Sequence, residues 1–138
     1  ARRIGKTRML LKNPFVTPSV MLRCNLPWRF QPGKRHMEDH LLWMEIVLAG
    51  RTVTRLDAPL AYLGKAQFGE SGLSAALWAM EKGELDNYRH LGTSGKLARP
   101  LAWLLMVYSL IKFVRRLLAV GWRRLKAVVG ANRMETTS

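Results

Sequence analysis

The segment "MEDHLLWMEIVLAG", residues 37–50, constrains the fold of this chain most strongly. The loop "QPGKR" before it places the start of a helix near Glu38, and Gly50 is a suitable C-terminal stop. The apolar residues recur at helical spacing and form a wide face: Met37, Leu41, Met44 and Leu48, with Leu42, Ile46 and Ala49 beside them. The pattern predicts a helix that packs against the rest of the domain.

Two acidic residues, Glu38 and Asp39, fall in the first turn of this helix, where the helix dipole favours negative charge. Two histidines, His36 and His40, bracket them. The stretch is open to three interpretations: a metal site, a catalytic carboxylate, or the polar start of a core helix.

The metal interpretation rests on the order His-x-x-Asp-His, which approaches an inverted zincin pattern with Asp39 where Glu is expected. It is weakened because His36 falls outside the predicted helix and because a third ligand is needed, while His90 lies in a polar stretch. Lys34 and Arg35 also place positive charge beside the site. We therefore expect loop or surface histidines, or histidines that contact a substrate phosphate.

The carboxylate interpretation treats Glu38 or Asp39 as a base that deprotonates a hydroxyl within hydrogen-bonding distance. An acidic pair that opens a helix directly after a basic loop can face a cleft. The spacing alone does not distinguish a catalytic carboxylate from an acidic first turn of a helix that has no catalytic role.

Charge is distributed unevenly along the 138 residues and their net charge of +14. Residues 1–35 carry +9, residues 36–90 carry −3 and residues 91–138 carry +8. Basic ends indicate an anionic partner such as phosphate, nucleic acid or an anionic membrane face. Cys24 is the only cysteine, which excludes an internal disulfide and a Cys-rich zinc site.

The remaining segments suggest two strands and two further helices. Residues 15–22 favour a strand punctuated by prolines, and residues 51–57 favour a short one. Residues 64–74 form a glycine-rich stretch in which Ser71 or Ser74 caps a helix over residues 75–91, with Gly83 as an interruption. "GTSGK" is a break. We expect the chain to divide into a first part (1–75), a helix and linker (76–95) and a helical tail (96–138).

The tail, from Arg99 to about Val129, predicts a helix with an uncharged run from Pro100 to Ile111. A membrane-spanning helix needs about twenty apolar residues, more than this run has. One face is basic (Lys112, Arg116, Arg123 and Lys126), whereas Leu and Trp residues lie elsewhere. Such a helix is typical of a membrane interface; the alternative is a helix that packs on its own domain.

Three motifs in this order resemble the C-terminal half of a family 2 glycosyltransferase: "NPFVTPSVMLR", "RFQPGKRHMEDHLLWMEIVLAG" and "RTVTRLDAPLAYL". They resemble the family's Asn-Pro…Ser-Val-Met strand, its Glu-Asp helix and its Pro-Leu-x-Tyr exit, over roughly residues 13–75. The resemblance implies an α/β chain, the C-terminal portion of a GT-A-type fold with few strands and mostly helices, followed by amphipathic C-terminal helices.

The resemblance also implies site residues for an inverting transfer. Asp39 would take the proton from the acceptor hydroxyl, and Glu38 would orient the site or contact the acceptor. Trp43 would pack behind them. Arg35 and His36 are further candidates for substrate binding. The family's histidine after the exit strand is absent, and Lys65 would meet the diphosphate instead, the alternative being an exposed loop lysine. Gly69, Ser71 and Gly72 would form a loop over the site, the alternative being an ordinary connection.

The chain departs from the family pattern because it has no Asp-x-Asp motif and no nucleotide-binding βαβ half, and because its exit segment carries no histidine. We expect a fragment, inactive alone, whose missing N-terminal nucleotide-binding half supplies most ligands for Mg²⁺ or Mn²⁺. The expected partners are a nucleotide-sugar, a saccharide or lipid-linked acceptor and an anionic membrane surface, with a cytoplasmic location, peripheral on the inner face of the plasma membrane. The alternative is a basic amphipathic module that binds membrane or, less expectedly, nucleic acid without catalysis.

Overall fold

The computed structural model describes residues 1–59 and 77–135, with side-chain surroundings along the last helix as far as Ala119. These residues form four α-helices and a two-stranded sheet. In chain order the elements are β1 (Arg2–Arg3), α1 (Lys6–Leu11), a 3₁₀ turn (Thr17–Ser19), α2 (Glu38–Leu48), β2 (Thr54–Arg55), α3 (Leu77–Thr93) and α4 (Arg99–Glu135). The described part of the chain is therefore mostly helical, with few strands as predicted.

Helix α2 begins at Glu38 and ends at Leu48, as the sequence predicts. Gly50 follows with a φ of +80°, a left-handed conformation that glycine adopts without steric cost. Seven of the eleven residues are buried, so the helix is enclosed on most sides. Trp43 is among them, which confirms its predicted packing role.

The strand predicted over residues 15–22 is wrong. The structure has irregular backbone there, with one 3₁₀ turn over Thr17–Ser19. Pro18 lies in the first positions of that turn and cannot donate to a strand ladder. The amide of Phe15 donates to the side-chain oxygen of Asn13 (3.1 Å), which bends the backbone locally instead of extending it.

The two-stranded sheet joins the N-terminus to the predicted strand at residues 51–57. That strand is present but short, and β2 pairs antiparallel with β1, with Arg2 opposite Arg55 and Arg3 opposite Thr54. The amide of Ile4 extends the pairing by donating to the carbonyl of Val53 (2.9 Å). Strand β1 and helix α1 have no counterpart in the sequence prediction.

Buried side chains from all four helices form a single hydrophobic cluster. Burying a Leu or Met side chain fully contributes about 1.5–3 kcal/mol, so this cluster is the main source of stability among the described residues. Its members come from each of the three predicted segments of the chain: Ile4, Met9 and Leu10; Leu41, Leu42, Trp43, Met44, Ile46 and Val47; Tyr88, Leu91, Leu97, Ala102 and Leu105.

Helices α3 and α4 form the second structural unit, a hairpin joined by the predicted break around Gly95. Helix α3 covers the predicted helix from Leu77 onward, the first two predicted residues lying outside the described ranges, and passes through Gly83 without a break. A Cβ atom at Gly83 would lie 2.8 Å from the carbonyl oxygen of His36. The residue is therefore a close-contact point between α3 and the loop before α2, not an interruption of the helix.

Helix α4 has two unlike faces. Ala102, Leu105, Ser109 and Phe113 are buried, in agreement with a face that packs against the protein. On the other side, Trp103, Leu104, Ile111, Val114 and Leu118 are exposed; we call these five residues the outer face of α4. No helix within the described ranges combines the length and the hydropathy that a membrane crossing requires.

Candidate active site

Asp39 lies in the first turn of α2, and both of its carboxylate oxygens accept hydrogen bonds. Oδ2 accepts from the hydroxyl of Thr17 (2.6 Å) and from the side-chain amide of Asn13 (3.3 Å). Oδ1 accepts from the backbone N–H of His40 (2.7 Å). An ionised carboxylate offers about four acceptor positions, so three donors fix its orientation and leave a position for a further proton.

The segment from Asn13 to Thr17 supplies two of these donors. Asn13 is doubly engaged, because its Oδ1 accepts from the amide of Phe15 while its Nδ2 donates to Asp39. Thr17 opens the 3₁₀ turn and is solvent-exposed. Neither Asn13 nor Thr17 is among the site residues that the sequence predicts. The available signal was their position, each directly before a proline in the motif "NPFVTP".

Glu38 points to a different side of the helix from Asp39, because consecutive helical residues are about 100° apart. It lines a cavity of about 250 Å³ together with two residues from the preceding loop and two from the helices, among others: Arg29, Phe30, Glu45 and His90. The predicted acidic pair is therefore divided. One carboxylate faces the segment from Asn13 to Thr17, and the other faces this cavity.

The floor of that cavity is polar on one side and aromatic on the other. Glu45 accepts from the ammonium group of Lys96 (2.6 Å) and lies 3.4 Å from Nε2 of His90. Phe30 is half-exposed and meets the ring of Trp43 edge to face, with centroids 6.2 Å apart. An aromatic ring beside hydrogen-bonding groups is a suitable lining for a ligand that has both apolar and hydroxyl surface.

His40 is fully buried, and the expectation of a loop or surface histidine is wrong for this residue. Its Nε2 lies 2.7 Å from the carbonyl oxygen of Met9 in α1 and must donate to it, because a carbonyl only accepts. Burial lowers the pKa of His40, against the opposing effects of the Met9 hydrogen bond and the charges of Glu84 and Asp39. The residue faces the core, away from any position where it would touch a substrate phosphate.

The loop before α2 places the other predicted binding residues. Arg35 is exposed, whereas His36 is half-buried with its backbone against Gly83. Lys34 is half-buried, its ammonium 3.5 Å from the Gly83 carbonyl, and burial lowers its pKa while Asp86 and Glu38 act in the opposite direction. Lys65, Gly69, Ser71 and Gly72 lie outside the described residues, as does the predicted cap at Ser74.

A second set of buried polar groups connects α3 with α4 and α1. Glu84 accepts from the ammonium of Lys112 (2.7 Å) and from the hydroxyl of Tyr88 (3.0 Å). The same hydroxyl is 2.6 Å from the carbonyl oxygen of Leu10 at the end of α1. Burial, together with the nearby Glu84 carboxylate, raises the pKa of Tyr88, so the phenol stays protonated and acts as a donor.

Among the side chains that the structure describes, in residues 1–59 and 77–119, no three His, Cys, Asp or Glu groups are placed to hold a metal ion. The Nε2 atom of His40 is already engaged with Met9, so the pair of His36 and His40 does not present two free imidazoles.

Comparison with known proteins adds no relative. No protein-family model, no curated protein and no solved structure matches the chain.

Proposed function

We propose that this chain is the acceptor-side part of an inverting glycosyltransferase of the family 2 type with a GT-A fold, in which Asp39 is the general base. The observation that carries the proposal is the convergence of two motifs on one carboxylate. Asn13 and Thr17, from the first motif of the resemblance, donate to Asp39 from the second. Residues that are 22–26 positions apart thus hold one carboxylate in a fixed orientation.

In the proposed reaction the acceptor hydroxyl oxygen attacks the anomeric carbon of the donor sugar. The bond from that carbon to the nucleoside diphosphate breaks, and the hydroxyl proton passes to the carboxylate of Asp39. The carboxylate would keep its orientation during this transfer because it accepts hydrogen bonds from Asn13, Thr17 and the His40 amide. Pre-oriented groups of this kind lower the barrier because no reorganisation is needed at the moment of reaction.

Glu38 would contact the acceptor rather than share the proton with Asp39, since it lines the cavity with Phe30 and Arg29. Arg35 and His36 remain proposed substrate contacts from the loop before α2, and Lys65 a proposed diphosphate contact. The nucleotide-sugar would be held by a nucleotide-binding half outside these residues. Mg²⁺ or Mn²⁺ bound mainly by that half would neutralise the departing diphosphate.

The proposed location is cytoplasmic and peripheral, on the inner face of the plasma membrane, where lipid-linked saccharide acceptors would be reached. We expect the isolated chain to be inactive in transfer, because the proposed reaction requires the donor-binding half.

Replacing Asp39 in the full-length enzyme tests the assignment directly. Asp39→Asn keeps the size and one acceptor oxygen but removes the basic carboxylate, so turnover should fall by about 10²–10⁴-fold, the usual contribution of general base catalysis. Binding of the nucleotide-sugar, measured by calorimetry, should change little.

The matched control is Asp57→Asn, the same change at an exposed aspartate whose contact with Arg55 is long (3.8 Å). It should leave turnover unaltered. Thermal unfolding of both variants separates loss of the base from loss of the fold. Turnover of Asp39→Asn at the level of the unmodified enzyme would contradict the role assigned to Asp39.

A further inference from the structure

The outer face of α4 is an apolar surface with no partner in the described part of the chain. Trp103 is 65% exposed, Leu104 59% and Leu118 69%. Leu104, Ile111 and Leu118 recur every seven residues, so they lie along one line of the helix. A continuous row of large apolar side chains in contact with water is typical of an interaction surface.

A groove between α3 and α4 runs beside this face and shares Trp103 with it. Its volume is about 350 Å³. Helix α4 supplies an apolar wall and α3 a largely charged one; the lining residues are Trp103, Met106, Val107 and Leu110 opposite Lys82, Leu85, Asp86 and Arg89. The groove and the outer face therefore form one amphipathic surface.

The charges around this surface are mainly positive. Lys82 and Arg89 are exposed and seven residues apart on α3, so they lie on the same side of the helix. Asp86 lies between them, and its charge also acts on the ammonium of Lys34. From Arg99 to Ala119, helix α4 carries four basic residues and no acidic residue.

Lys112 is excluded from this surface because its ammonium pairs with the buried Glu84. Of the other three basic residues, Arg116 acts on the carboxyl group of Glu81 in α3. Helical geometry puts Arg99 and Arg115 at the two edges of the outer face. An apolar centre with cations at both edges matches a bilayer whose headgroups are anionic. A second copy of this chain would bring like charges together at the same edges.

We propose that this surface binds anionic phospholipids of a membrane. The outer face of α4 enters the boundary between headgroups and acyl chains, with Trp103 at headgroup level. Lys82 and Arg89 bind lipid phosphates beside the groove. The proposal does not depend on glycosyl transfer. It also assigns the lipid contacts to cations other than those the sequence predicts, because Lys82 and Arg89 on α3 take the place of Lys112.

The test uses the whole chain and two kinds of vesicle, pure phosphatidylcholine and an equal mixture of phosphatidylcholine and phosphatidylglycerol. The apolar variant is Leu104→Gln, Ile111→Gln, Leu118→Gln. Because it removes the inserted side chains, its partition coefficient for the mixed vesicles should fall on the order of a hundredfold. The basic variant is Lys82→Gln with Arg89→Gln. Its partition coefficient should fall by roughly 25-fold on mixed vesicles and should equal that of the parent chain on pure phosphatidylcholine.

Each variant has a matched control at exposed positions elsewhere. Met21→Gln, Leu22→Gln, Leu56→Gln makes the same apolar change outside α4, and Lys6→Gln with Arg8→Gln makes the same charge change on α1. Both controls should bind the mixed vesicles within about threefold of the parent chain, since charges outside the surface act only through the general field. Circular dichroism and thermal unfolding should show that all variants stay folded.

Three results would overturn the proposal. The first is binding of the apolar variant as tight as that of the parent chain. The second is an equal loss in the basic variant and its α1 control, which would mean attraction by net charge alone. The third is a parent chain that sediments as a dimer without lipid and becomes monomeric in the apolar variant, which would assign the outer face to a second copy.

Discussion

Glu81 and Glu84 are three residues apart on α3 and both are buried, yet their surroundings differ. Glu84 accepts from Lys112 and Tyr88, whereas Oε1 of Glu81 has no hydrogen-bond partner. Burial raises the pKa of Glu81, with Ser109, Lys112 and Arg116 acting against the shift. The same side chain thus stabilises the fold at one position and costs stability at the other.

The same substitution at these two positions should therefore have opposite effects. At neutral pH, Glu81→Gln should raise the free energy of unfolding by about 1 kcal/mol, since it removes a charge that is poorly compensated. Glu84→Gln should lower it by about 2 kcal/mol, because charge-assisted hydrogen bonds are lost. Denaturant unfolding of the two variants measures both.

The pH dependence provides a check on the first of these effects. A carboxyl group whose folded pKa is raised contributes stability below its unfolded pKa and loses it as the pH rises. The advantage of Glu81→Gln should hence shrink as the pH approaches about 4. A destabilised Glu81→Gln at neutral pH would show that Glu81 is properly paired in solution.

At the level of single residues, the sequence predicted Asp39 and Trp43 in their structural places but not the partners of Asp39. Helix position follows from local pattern, and so does the burial of a tryptophan within an apolar run. The hydrogen bonds from Asn13 and Thr17 join residues that are more than twenty positions apart in the chain. A local sequence pattern does not predict such long-range contacts.

Among the elements, α3 shows how a single glycine permits a close approach. Gly83→Ala would place a Cβ 2.8 Å from the backbone oxygen of His36. Alanine is favoured over glycine in a helix by about 1 kcal/mol, but forcing apart the backbone of the loop before α2 costs typically 1–3 kcal/mol. The variant should be destabilised by about 1 kcal/mol in thermal or denaturant unfolding.

The control for this effect is Gly5→Ala, since a Cβ at Gly5 meets no atom within 4 Å. It should change stability by less than about 0.5 kcal/mol, the usual range for a surface position. A Gly83→Ala variant more stable than the parent chain would mean that helix α3 and the loop before α2 do not touch in solution.

The elements differ in how far the sequence could predict them. Helix α2 is predictable because its apolar pattern and Gly50 act within a few residues. The sequence predicts a strand over residues 15–22, but its β-favouring residues are outweighed by Pro18 and by the side-chain bond from Thr17 to Asp39. The sequence does not predict helix α1, because this helix is only six residues long and has no side-chain cap at its start.

For the molecule as a whole, His40 makes stability depend on pH. It is buried beside α1, whose Met9 carbonyl it binds, and charged groups from its own helix, α3 and α4 act on it: Asp39, Glu84 and Lys112. Because burial holds its folded pKa below the ordinary 6.5, the unfolded chain binds a proton more readily. This histidine's contribution to the free energy of unfolding should thus decrease as the pH falls through and below 6.5.

The prediction is tested by denaturant unfolding between about pH 7.5 and about pH 5. His40→Gln, which keeps a donor for the Met9 carbonyl, should remove most of the decrease that the parent chain shows near pH 6. His90→Gln, at a half-exposed position, should retain it. An unchanged pH profile in His40→Gln would place the responsible group elsewhere.

Whole-molecule features were the hardest to predict from composition. The basic ends and the amphipathic tail are visible in the sequence, but the use of each cation is not. Lys112 belongs to the predicted basic face, and the structure pairs it with Glu84 inside the helical hairpin. Which charges remain for a partner follows only from the packing of α3 on α4.

The bonds to the last turn of α1 also bear on the order of folding. A six-residue helix is too short to persist in water by itself, and its carbonyls at Met9 and Leu10 are bound by His40 and Tyr88. Tyr88 follows Leu10 by 78 residues. The Leu10 carbonyl therefore gains its partner only after α3 has left the ribosome, so α1 is completed after a helix that follows it in the chain.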